Sequence, residues 1–209
     1  MFSIQQLFSK GDRFQELFEA AAQETHESVR LAIALMKLPQ KTQHLDDLVL
    51  ARRKEKKISA QISTELVKTF ITGLERQDIE SLARGLYRIP KSAEKLAERL
   101  VMAGTHLDGI DFSKHADMMA KATDAIQVMV RQLRDMKNLE KIRALNDSLQ
   151  LTEVEADRYM MTLLRDLYAG KYEPYRCMVL RDIYELMEKV IERCHDAGNI
   201  IMYIVLKNS

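Results

Sequence analysis

Glu188, Glu192 and Asp196 recur every four residues within Arg181 to Lys207. At that spacing side chains stack along one face of an α-helix. Like charges at i,i+4 repel mildly, so such a column favours a compensating cation. Glu153 and Asp157 repeat the spacing on the preceding helical segment. Carboxylates facing one another from two helices supply the oxygen donors that a divalent or trivalent metal ion, such as iron or zinc, requires. The plain alternative is a solvated helix face. In a chain that is 30% charged, acidic pairs four residues apart also arise by chance.

Other reactive residues form no second constellation. His195 follows Glu192 in an E-x-x-H spacing, which carboxylate-bridged di-metal helical bundles use. Those sites need two such pairs and two further Glu, and one pair is present. A ferritin-like oxidase is therefore the weaker alternative, and His195 reads as an ordinary surface or interface histidine. His26, His44, His106 and His115 are scattered. Cys194 has no base partner in the sequence and reads as a packed interior residue. No Gly-rich phosphate loop, Ser-His-Asp set or zinc signature occurs. The chain is expected not to be an enzyme.

The elements that would position these residues are helices. The chain has 209 residues, 46% of them hydrophobic, with 7 Gly, 3 Pro and no Trp. Long charged-and-apolar stretches with so few breakers are mostly helix. A formal net charge of +1 implies no bulk attraction to nucleic acid. The two cysteines, Cys177 and Cys194, define neither a disulfide framework nor a zinc spacing. The first residues lack the layout of a signal peptide. The longest apolar run, Ile200 to Leu206, falls well short of the ~20 residues that span a bilayer. These features predict a reduced, cytoplasmic protein.

Six helices are predicted. The first runs from about Ser3 to Leu38, with Phe14, Leu17, Phe18 and Ala21 as its apolar stripe and Pro39 as its stop. The second runs from about Thr42 to Phe70, with Ile58, Ile62, Leu66 and Phe70 facing inward. The third spans about Glu75 to Ala103, and Pro90 within it should kink it or disturb a turn. Gly104 to Phe112 reads as the mid-chain connection. The fourth helix follows from about Ser113 to Asp135, and the fifth from about Leu139 to Ala169, ended by Gly170. The sixth starts near Pro174 and reaches about Leu206. The twelve methionines fall mostly at helical spacing and read as core filling.

A faint repeat divides the chain. Asp78-Ile79-Glu80-Ser81-Leu82 in the third helix matches Asp182-Ile183-Tyr184-Glu185-Leu186 in the sixth. Both copies occupy the third place of their triplet. The predicted fold is all-α: two antiparallel three-helix bundles packed side by side, residues 1–104 and 113–209 of one 1–209 domain.

Several blocks carry a family resemblance: Thr69-Phe70-Ile71-Thr72 with Arg76-Gln77-Asp78-Ile79, then Glu153-Val154-Glu155-Ala156-Asp157-Arg158, and Asp182-Ile183-Tyr184-Glu185-Leu186. The last are Arg193-Cys194-His195-Asp196-Ala197-Gly198-Asn199-Ile200-Ile201 and Ile204-Val205-Leu206-Lys207-Asn208. In order and spacing the sequence resembles the divergent PhoU-like family of phosphate transport regulators. The resemblance implies two three-helix bundles and a cytoplasmic accessory role, peripheral at the inner membrane face, beside an inorganic phosphate permease. It also implies metal binding through acidic E/D-x-x-x-D helix motifs. These map onto Glu153 and Asp157, and onto Glu188 and Glu192, with Asp196 one turn further. A homo-oligomer is expected as well. The remaining alternative is a scaffolding helical dimer without metal.

The first half departs from the family pattern. Where an acidic second helix is expected, the chain reads Arg52-Arg53-Lys54-Glu55-Lys56-Lys57. Arg52 and Lys56 stand where the second half has Glu153 and Asp157, and Arg84 and Arg88 where it has Glu188 and Glu192. A basic pocket of these four would suit an anion: phosphate, a lipid headgroup or an acidic partner loop. The plain alternative is again a solvated helix face.

Overall fold

Each predicted segment places apolar residues three or four positions apart, and each becomes a helix with one buried stripe. The computed structural model describes residues 4–37, 43–134 and 138–208. The helices are α1 (Ile4–Lys37), α2 (Gln43–Lys68), α3 (Arg76–Ala103), α4 (Ser113–Gln132), α5 (Leu139–Tyr168) and α6 (Pro174–Asn208), with one 3-10 turn, Gly104–Leu107. The predicted limits at Ser3, Leu38, Thr42 and Asp135, and the stop at Pro39, lie outside the described residues.

The helices form two sets of three. α1, α2 and α3 pack on one another, and so do α4, α5 and α6. Two seams join the sets, α3 against α6 and α1 against α4, while α2 and α5 touch only helices of their own set. Phe14, Leu17, Phe18 and Ala21 are buried as the α1 stripe predicts, and Met118, Met119 and Met129 fill the α4 side of the core. Met161 does not, being 55% exposed.

Glycines close two helices. Gly104 caps α3 at φ 50° and Gly170 follows α5 at φ 78°. Positive φ is strained for other residues, so glycine suits both ends. The mid-chain connection is tied down from α6: Arg176 donates from Nε to the His106 carbonyl at 3.0 Å and from Nη2 to that of Asp108.

The expected inward place of Phe70 is corrected. α2 ends at Lys68, and Phe70 is 97% exposed. Its last carbonyls are held by a side chain from the next helix: Arg76 donates to Leu66 O at 2.6 Å and to Thr69 O at 2.9 Å. The guanidinium takes the place of further helical N–H donors, so the four-residue rhythm that buries Ile62 and Leu66 stops before Phe70.

Pro90 lies buried inside α3, and the helix continues through it. Proline has no N–H to give to the carbonyl four residues back, which belongs to Leu86. Thr25 of α1 supplies the missing donor, its hydroxyl lying 3.4 Å from Leu86 O. Thr25 is itself almost fully buried. Thr25→Val keeps the shape and removes the donor. It should lower stability by about 1 kcal/mol, the net worth of such a bond. In a Pro90→Ala background the helix supplies its own N–H and the Thr25→Val cost should shrink. Equal costs in both backgrounds, measured by urea unfolding, would refute this account.

Candidate functional site

α5 and α6 run antiparallel at close range. A Cβ on Gly198 would lie 2.5 Å from Leu149 Cδ1 and 2.8 Å from Asn146 Oδ1, so any larger residue must push these two side-chain ends aside. Beside it Asn146 donates to Asn199 Oδ1 at 3.0 Å, and Asn199 Nδ2 lies 3.2 Å from His195 Nε2. Carrying that register along both helices sets Glu153 level with Glu192, and Asp157 level with Glu188. The electrostatics agree. Burial first, then the charge of Glu192, with those of Asp157 and Glu153, raises the Glu188 carboxyl above the usual carboxylate range, against the opposing pull of Lys189.

The predicted acidic set is thus four residues on one seam, and Asp196 is not among them. Each four-residue step exceeds a helical turn and rotates the side chain by about 40°. Two steps carry Asp196 round to the groove between α3 and α6, where it pairs with Arg193 at 2.5 Å beside Arg84 and Arg88. His195 takes the place in line: its Nδ1 is 4.0 Å from Glu153 Oε2. Its spacing from Glu188, two turns on, was the sequence signal for that position.

The seam offers hard oxygen donors and one imidazole, the right chemistry for a cation. Its geometry does not gather them. Among the described residues no three His, Cys, Asp or Glu side chains converge as one ion requires. Glu192 is instead held by Lys189 at 2.5 Å and Arg193 at 3.5 Å.

The predicted basic residues do not share one pocket. Arg52 is drawn into an ion pair with Glu94 of α3. Lys56 stays exposed on α2, at the edge of a groove against α1 that also takes in Arg53 and Lys57. Arg84 and Arg88 line the separate groove of about 350 Å³ between α3 and α6, with Ser81 and Arg193. The reason is register. Arg52 opposite Glu94 sets Lys56 level with Pro90, well short of Arg84.

Outside the predicted set, Glu55 and His115 are buried ionisable residues whose side-chain polar atoms have no hydrogen-bond partner among the described residues. Glu55 is fully buried, and neither carboxyl oxygen has a hydrogen-bond partner. Burial pushes its carboxyl up to about 8, with Arg52 pulling the other way. The signal lay in the stripe Ala51, Glu55, Ile58, Ile62, Leu66, where Glu55 holds a core position. His115 of α4 is also fully buried, stacked at 5.6 Å on Tyr184 and held down to about 4 chiefly by burial. Cys194 is buried as expected, and burial pushes its thiol up, away from the reactive thiolate.

No family model matches the chain. It is similar to the UPF0111 protein YkaA of Bacillus subtilis (strain 168), 23% identical over 69% of this chain and 70% of that one. It is also similar to the "Putative pit accessory protein" of Rhizobium meliloti (strain 1021), 22% identical over 98% of both chains. Among solved structures, PhoU from Pseudomonas aeruginosa superposes with a TM-score of 0.76 at 14% identity, over 97% of this chain and 100% of that one. The fold is PhoU-like, the expected pair of three-helix bundles.

Glu55 predicts a pH dependence. Between its unfolded value near 4.5 and its folded value of about 8 the native state holds a proton that the unfolded state has lost. Stability should therefore fall as pH rises through that window and level off above it. Glu55→Gln should flatten this slope and raise stability at pH 8 by roughly 1–3 kcal/mol. Chemical denaturation at pH 5 and pH 8 decides it. An unchanged slope in the variant would show that Glu55 is not its source. At the α5–α6 contact, Gly198→Ala should cost about 1–3 kcal/mol through overpacking, seen as a lower melting temperature; a neutral Ala would mean that the ends of Leu149 and Asn146 give way at little cost.

Proposed function

We propose that this protein is a non-enzymatic regulator of inorganic phosphate transport, acting at the cytoplasmic face by contact with an inorganic phosphate permease. The observation that carries the reading is similarity over 98% of the chain to a protein named as a pit accessory protein, together with a PhoU-like fold. The fold supports a regulator because its outermost helices, α2 and α5, each leave one face free for a partner. On α5 that face includes Leu151, Val154 and Met161, exposed at helical spacing, which supports self-association as well. No helix among the described residues is long and apolar enough to cross a membrane, so contact with a permease would be made from outside the bilayer.

A metal ion at the α5–α6 seam belongs to the same reading. Glu153, Asp157, Glu188 and Glu192 would hold it, and its charge would relieve the repulsion that raises Glu188. Glu192 would first have to leave Lys189 and Arg193. Anion binding by Arg84 and Arg88 in the α3–α6 groove is the corresponding proposal for the basic residues, with Arg52 engaged elsewhere and Lys56 on another face.

Two measurements test the proposal. The tagged chain, expressed in its host and extracted in mild detergent, should retain a phosphate permease, and its deletion should change phosphate uptake. Uptake unaltered by deletion sinks the regulatory reading. For the metal, dialysis against ferrous, ferric or zinc ions followed by elemental analysis should show ion retained by the natural chain and lost in Glu153→Gln/Glu188→Gln. Retention equal in both removes the seam as the site.

A further inference from the structure

The outer face of α2, left free by the packing of the helices, combines two features. Arg53, Lys57, Ala60, Thr64 and Val67 fall on one stripe about 20 Å long, and all five are exposed. Lys56 and Lys68 flank it, exposed as well. Arg53, Lys56, Lys57 and Lys68 form no ion pair among the described residues. Of the acidic residues nearby, Glu55 is buried, Glu65 is half-buried and Glu75 pairs with Lys207, while Asp46 and Asp47 are exposed at the start of α2, before the first cation of the stripe. The stripe is cationic toward its start and carries no acid.

At its far end the face becomes apolar. Val67 is 83% exposed, Phe70 97% and Ile71 51%. These side chains project from a built turn. Arg76 pins the carbonyls of Leu66 and Thr69, and Thr69 is buried beneath them. The three apolar side chains stand open at the end of α2.

We propose that this face docks on an anionic lipid bilayer, with the α2 cations among the headgroups and the Val67–Phe70–Ile71 tip at the acyl boundary. Charge complementarity commits the face to that surface. Flexible, unpaired lysines match a diffuse sheet of negative charge better than one fixed carboxylate. Cations and apolar residues side by side on one exposed face are the pattern of interfacial helices and polybasic segments. The inference does not rest on the permease reading, although it brings the protein to the plane in which a permease lies.

Co-sedimentation of the full chain with protein-free vesicles tests it. Binding is expected to phosphatidylcholine vesicles that contain phosphatidylglycerol and not to phosphatidylcholine alone, and it should weaken as salt is raised. Each Lys or Arg near an anionic surface contributes roughly fivefold, so Arg53→Glu/Lys57→Glu should weaken binding by about tenfold or more. Phe70→Ser should weaken it while leaving the salt dependence in place, and Lys141→Glu on α5 should bind as the natural chain does. The substituted side chains are exposed, and thermal melts of each variant confirm folding. No binding, equal binding to both vesicle types, or unchanged binding by Arg53→Glu/Lys57→Glu overturns the proposal. So does a Phe70→Ser variant that binds vesicles normally but turns a dimer into a monomer, since the tip would then be a contact between copies. The vesicles contain no permease, so failure here leaves the transport reading standing, and failure to retain a permease leaves this one.

Discussion

Everything in this molecule hangs on the seam between α3 and α6. Each packs on both other helices of its own set, and each also packs on the other. A helix buried on several sides can approach its neighbours only where its side chains are small. α3 buries Ala83, Gly85, Ala93 and Ala97. α6 buries Cys194, Ala197 and Gly198. A Cβ on Gly85 would stand 3.7 Å from Ala197 Cα, which marks how close the two backbones come. The C-terminal end of the seam is locked by Lys207, which reaches Glu75 at 2.5 Å and Asp78 at 3.2 Å.

The seam decides which helices are free. With α3 and α6 inside and α1 joined to α4, α2 and α5 are left as the outer rails. It also explains why a proline survives at the centre. α3 cannot bend away from Pro90 without opening its contact with α6, so the unpaired carbonyl must be satisfied from across the bundle, and Thr25 is in place to do so. Gly198 faces α5 on the other side of α6. It lies beside the Asn146–Asn199 bond, whose register brings Glu153 and Asp157 level with Glu192 and Glu188.

Helix limits and the division into two sets of three were legible because both depend on local signals: breakers at Gly104 and Gly170, and apolar stripes such as Phe14 to Ala21. That Glu153 and Asp157 face Glu188 and Glu192 was legible, because their places depend on one or two turns of helix, but they do not gather as a ligand set. Asp196 was misplaced because the drift of a four-residue step accumulates, and a stripe read as straight in the sequence winds round the helix. Phe70 was misplaced for a different reason. Its burial would have required α2 to continue, and what ended α2 is a guanidinium from the following helix, a tertiary contact that no local pattern carries. The basic pocket was not legible at all. Matching the halves position by position assumed equal registers, whereas Arg52 opposite Glu94 sets a register of its own.

The difference in sign between the halves has a geometric cause as well as a compositional one. Along α5 the acids Glu153 and Asp157 lie toward α6 and meet acids there, so their charge is concentrated at a seam. In the run Arg52 to Lys57 the residues of α2 are sorted by helix rotation instead. Glu55 falls on the stripe of Ala51, Ile58, Ile62 and Leu66 and is carried inside, where burial keeps its carboxyl protonated near neutral pH. Arg52 is turned toward Glu94, and Lys54 lies 3.7 Å from Glu24. What remains outside is Arg53, Lys56 and Lys57. Were Glu55 on the outer face, it would stand within a turn of these cations and partly cancel them. The buried, neutral glutamic acid and the cationic exterior of this run are therefore two results of one rotation. The same helix phase that costs the core an unpaired carboxyl leaves the outer side of the Arg52 to Lys57 run with a single sign.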